Sequence, residues 1–67
     1  MTTTMKLTLS DGSTYTLVPG TMIESLLPNQ TTGETTLSII ALLPNGEGDI
    51  VWFTNSRLRR VELVQVR

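Results

Sequence analysis

Apolar and polar residues alternate along most of this chain with a period of two, the repeat of a strand with one dry and one wet face. From residue 5 to residue 9, Met5, Leu7 and Leu9 fall on one side and Lys6 and Thr8 on the other. Ser10-Asp11-Gly12 follows, and Asp-Gly between alternating segments predicts a tight hairpin with positive φ at both turn positions. The returning strand covers residues 13–18, with Tyr15 and Leu17 inward and threonines on the wet face. Pro19-Gly20 breaks it. Residues 20–27 fit either a third short strand or one helical turn, because Thr21 and Glu24 have the spacing of a capping box. Residues 28–34 are a polar connection.

Residues 35–43 form the most apolar strand, with Leu37, Ile39, Ala41 and Leu43 on one face and Ile40 and Leu42 on the other. A strand apolar on both faces belongs at the centre of a barrel or at a subunit contact. Pro44-Asn45-Gly46-Glu47-Gly48 turns the chain, and residues 49–54 return through Ile50, Val51, Trp52 and Phe53. Trp52 and Phe53 are the single Trp and the single Phe, and as neighbours in a strand they point opposite ways. One belongs in the core. The other must lie where loops or another molecule cover it.

After a corner at residues 54–56, Asn55 or Ser56 is placed to cap one helical turn through Arg57-Leu58-Arg59. The last strand follows at residues 60–66, with Val61 and Leu63 expected to complete the core and Arg60, Glu62, Val64 and Val66 outward. Residues 1–4 are expected to be a disordered start, and residues 5–67 one domain. "LLPN" occurs twice, at residues 26–29 and 42–45, and reads as two strand ends, with Pro as the stop and Asn opening a turn.

Hairpin, long connection, hairpin, short turn and final strand together predict an all-β domain, a single small five-stranded SH3-like (Sm-like) barrel with at most one helical turn. Closure would remove the edges that expose so β-rich a chain to aggregation. "LTLSDGSTYTL" and "IVWFTNSRLRRVELV" resemble the layout of Sm-like and other SH3-like small barrels, where a strand–Asp-Gly–strand opening is answered by a last strand reached through a short turn. "DGSTYTLVPGTMIES" is similar to a segment of short flagellar-type and phage-encoded β proteins. The Sm-like RNA loop needs Asp, Asn and aromatic or His neighbours. Residues 28–34 and 44–48 do not supply them, so the resemblance carries no functional residue onto this chain.

Composition narrows the chemistry. At 67 residues the chain makes one domain with a thin core, and with neither Cys nor His it lacks disulfides and the usual zinc ligands. Self-association is then the expected support for the fold. No apolar run reaches signal-peptide or membrane-spanning length, so a soluble protein, cytoplasmic or virion-associated, is expected. Catalysis is not expected: without His or Cys a nucleophile would depend on Lys6, which points outward, or on Thr2 at a loose end if Met1 were removed. Glu47 and Asp49 are too few for a calcium loop and read as a solvated hairpin. No glycine opens a phosphate-binding loop. No cofactor, metal or small-molecule substrate is expected.

Charge is uneven within a net −1: residues 57–67 sum to +3 and residues 1–56 to −4. Arg and Trp favour contact hot spots, and Ile50, Trp52, Val64 and Val66 beside Arg57, Arg59 and Arg60 are the expected interaction surface. The reading is a non-catalytic assembly or partner-binding module, a homo-oligomer, comparable in composition with phage or mobile-element structural and accessory proteins. The alternative is a small barrel that binds single-stranded nucleic acid through the C-terminal arginines with Trp52, against which stand the pI of about 5.1 and the single Lys.

Overall fold

The computed structural model describes residues 1–66 and shows six strands joined by turns and one short helical segment. They are β1 (Thr2–Leu9), β2 (Thr14–Thr16), β3 (Glu24–Ser25), β4 (Thr36–Leu42), β5 (Gly48–Thr54) and β6 (Leu58–Val66). A single turn of 3-10 helix, Asn55–Arg57, joins β5 to β6. The strands form two antiparallel sheets, ordered β2-β1-β6 and β3-β4-β5. The all-β expectation holds. The closed five-stranded barrel does not form, because no continuous ladder runs around the molecule.

Both hairpins tighten in the same way. Gly12 donates its N–H to the Leu9 carbonyl at 3.0 Å, and Leu9 donates to Ser13 at 2.9 Å. In the β4–β5 hairpin Gly46 donates to Leu43 at 2.9 Å and Leu43 to Glu47 at 2.8 Å. Only Gly12 and Gly46 carry positive φ in these turns, so each is a three-residue loop ending in a left-handed glycine. The two-residue turn with positive φ at Asp11 is therefore corrected. Asp11 and Asn45 instead accept the N–H two residues on, from Ser13 at 2.9 Å and Glu47 at 3.0 Å. Asn29 does the same for Thr31 at 2.8 Å, so the Asn of each "LLPN" copy organises a turn.

The core is Leu7, Leu9, Leu17, Ile39, Ala41 and Phe53, with Met5, Tyr15, Ile23, Leu37, Val51 and Leu58 packed around it. Leu17 holds the sheets together. Its N–H donates to the Met5 carbonyl at 2.9 Å, its carbonyl accepts the Thr4 hydroxyl at 3.0 Å, and it bridges Ala41. The next residue, Val18, donates to Ile40 at 2.9 Å. One extended segment thus serves both sheets where a barrel would carry a full ladder.

Two further expectations are corrected, and the open choice between strand and helical turn at residues 20–27 falls to the strand. The start at residues 1–4 is not loose: β1 begins at Thr2, paired with Val66, and Thr4 is buried at 7% exposure by its bond to Leu17. Threonine is β-branched and suits a strand whose partner lies at the far end of the sequence. Residues 20–27 contain no helix; Glu24 and Ser25 pair with Ser38 and Leu37 as a two-residue strand. Val61 and Leu63 do not complete the core. They stand opposite Leu7 and Met5 and so share their inward side, yet remain 46% and 75% exposed. The second sheet covers β1 and β2 and stops short of β6.

Incomplete coverage shows in the shape. The molecule measures 42 × 19 × 17 Å with a radius of gyration of 12.4 Å, against about 11 Å for a compact domain of this length. At the far end, residues 2 and 3 of β1 have only β6 beside them, a two-stranded ribbon of the kind that is marginal alone.

Candidate interaction surface

The outer face of β4 and β5 is built by alternation. Val51 and Phe53 turn toward the core, so Ile50 and Trp52 turn away from it, 56% and 61% exposed. Across the ladder Ile50 faces Ile40 and Trp52 faces Ser38, which in turn faces Glu24 of β3. The result is an apolar strip on the outside of the sheet, continued by Met22, which is 74% exposed. A hollow of about 460 Å³ opens beside it, lined in part by Thr21, Met22, Glu24, Ile40 and Ile50.

The arginines sit in a different setting from the expected free basic cluster. Arg57, the last residue of the 3-10 turn, reaches back to the first hairpin: its Nη2 lies 3.1 Å from Asp11 Oδ2, and its carbonyl accepts the Ser10 N–H at 2.7 Å. It clamps the Asp-Gly turn to the start of β6. Arg60 lies 3.6 Å from Glu62 on the same strand face. Arg59 is the extra residue where the β1–β6 register shifts, exposed and without an ion pair among the described residues. Arg67 lies outside the described residues.

Val64 and Val66 pair with Thr4 and Thr2 and are half-buried. They belong to the other sheet from Ile50 and Trp52, and β5 and β6 are not ladder neighbours. The seven expected residues therefore divide into a β5 pair, a corner of arginines and two valines on the ribbon. The largest exposed apolar residues of β6 are Leu63 and Val61, which alternation places on the core side. The signal was present: β6 carries more apolar side chains than a thin core can take on either face.

Asp11 has its carboxyl held below the ordinary value of 3.8, first by the Ser13 N–H, then by the Ser13 hydroxyl, with a smaller contribution from the Arg57 charge. A carboxylate whose folded pKa is depressed stabilises the fold above its ordinary value, and that contribution is lost as pH falls through the folded value. Acidifying below pH 3.8 should narrow the stability difference between the native chain and Asp11→Asn, read by urea melts along a pH series. The carboxylate is open to solvent, so the effect is small.

Among the described residues no group of three or more acidic, His or Cys side chains comes together to hold a metal. No described helix is long and apolar enough to cross a membrane. Comparison with protein-family models, curated proteins and solved structures finds no match to this chain.

Proposed function

We propose that the chain is a non-catalytic assembly module that self-associates through the apolar surface its own core leaves uncovered. The supporting observation is one of area. The folded chain exposes 4853 Å², where a compact monomer of 7.4 kDa is expected to expose about 4200 Å². Exposed apolar side chains stand on both sheets, Ile50 and Trp52 on the outer strip and Val61 and Leu63 on β6. Exposed apolar surface gathered into patches favours association in water.

Light scattering on the purified protein is expected to give a mass of several subunits, unaffected by added nucleic acid or salt. Trp52→Arg places a charge in the middle of the outer strip and should lower that mass, while circular dichroism stays unchanged because the side chain is not part of the core. A single-subunit mass at every concentration overturns the proposal. An unchanged mass in the variant removes Trp52 from the contact. The nucleic-acid alternative has less support, since Arg57 and Arg60 each already face a carboxylate. It predicts binding to single strands that weakens steeply with salt.

A further inference from the structure

We propose that the free edge of β6 pairs antiparallel with β6 of a second copy, on a two-fold axis through Leu63. The inference rests on the self-association reading above and gives it a geometry.

The direction of the edge groups follows from β1. Leu17 donates to the Met5 carbonyl, so the peptide groups of Met5 point toward β2. In an antiparallel ladder a residue turned that way makes no backbone bonds to its opposite number, and that residue points its own groups the other way. The opposite number is Leu63. Its N–H and C=O therefore face the open edge, as do those of Val61 and Gln65 two positions to either side.

β6 is the longest of the four edge strands, nine residues against three in β2, two in β3 and seven in β5. Its regular part runs from Arg60 to the end of the strand at Val66, beyond the register shift. A two-fold through Leu63 overlaps the whole of that run. Leu63 then meets Leu63 of the partner, Val61 meets Gln65, Arg60 meets Val66 and Glu62 meets Val64. About six new backbone hydrogen bonds close the seam. Shifting the axis to Glu62 sets two carboxylates face to face, and shifting it to Arg60 opposes two arginines. Shifting it to Val61 runs the pairing through the bulge. Only the Leu63 axis keeps both length and charge in order.

The pairing converts two three-stranded sheets into one of six, ordered β2-β1-β6-β6-β1-β2. It braces the ribbon formed by residues 2 and 3 and β6, and it closes on itself, because each copy spends the same edge.

The chain has no cysteine, which makes the register directly readable. In Leu63→Cys the two thiols face each other at a Cα separation of about 5.5 Å, suitable for a disulfide. In Gln65→Cys they lie about 13 Å apart. Mild oxidation should give a covalent dimer with the first variant and little with the second. Leu63→Pro removes an N–H that points outward, a change an edge strand tolerates, and should halve the light-scattering mass with the circular dichroism spectrum retained. Leu63→Lys keeps the backbone donor and should act in the same direction if the proline variant does not fold. A native chain that is monomeric throughout overturns both this proposal and the self-association reading. An oligomer that survives Leu63→Pro and Leu63→Lys, or cross-links equally well through Gln65→Cys, overturns the β6 pairing and leaves self-association standing.

Discussion

Leu17→Ala is expected to leave most of the chain unfolded at room temperature. Leu17 is 0% exposed and among the largest fully buried side chains, so truncation removes its apolar contacts and opens a cavity between the sheets. Leucine-to-alanine changes at such sites cost about 2–5 kcal/mol, and a domain of this length rarely has more than about 3–5 kcal/mol to lose. The surroundings collapse poorly here. The Leu17 backbone is fixed by the bonds to Met5 and Thr4 and by the bridge to Ala41, so the site cannot shrink without loosening the join between the sheets. Urea denaturation at fixed protein concentration reads the loss. A midpoint within experimental error of the native chain would show that the two sheets are held elsewhere.

Phe53→Ala should be nearly as damaging, and its neighbour supplies the control. Phe53 is 4% exposed, sits in the core cluster and pairs with Leu37 across the ladder, and truncating such a side chain costs about 3–5 kcal/mol. Trp52, one residue earlier and larger, is 61% exposed, so Trp52→Ala should move the monomer's stability by less than about 1 kcal/mol. The contrast is clean in a background such as Leu63→Lys, where loss of association does not mix with loss of folding. Equal effects of the two truncations would mean that β5 is rotated relative to the arrangement described.

What the sequence made legible was local. The period-two stretches locate β1, β4, β5 and β6, and the paired Trp52 and Phe53 announce one inward and one outward ring because consecutive residues must diverge. What stayed hidden was coverage. Alternation assigned Val61 and Leu63 to the same side as Leu7 and Met5, which the register bears out. It cannot say whether a second layer extends above that side, and for β6 it does not. Closure failed for the same reason: a barrel and an open pair of sheets share their local patterns and differ in contacts between distant segments. Thr2, Thr3 and Thr4 read as a loose polar start because their partners, Val66, Gln65 and Val64, lie more than 60 residues away except for the last. The arginines were legible as a cluster but not as partners of Asp11 and Glu62, since the first of those pairs spans 46 positions.

The pairing of β1 with β6 also sets the order in which the molecule can be assembled. Hairpins β1–β2 and β4–β5 close over short spans, whereas β1 acquires its second neighbour only from the opposite extreme of the chain. Bringing such remote segments together meets most of the loop-closure entropy before any contact offsets it, which slows folding. Until β6 arrives, one flank of β1 remains an open template for misplaced strands, and a nascent or refolding chain is most vulnerable along that line.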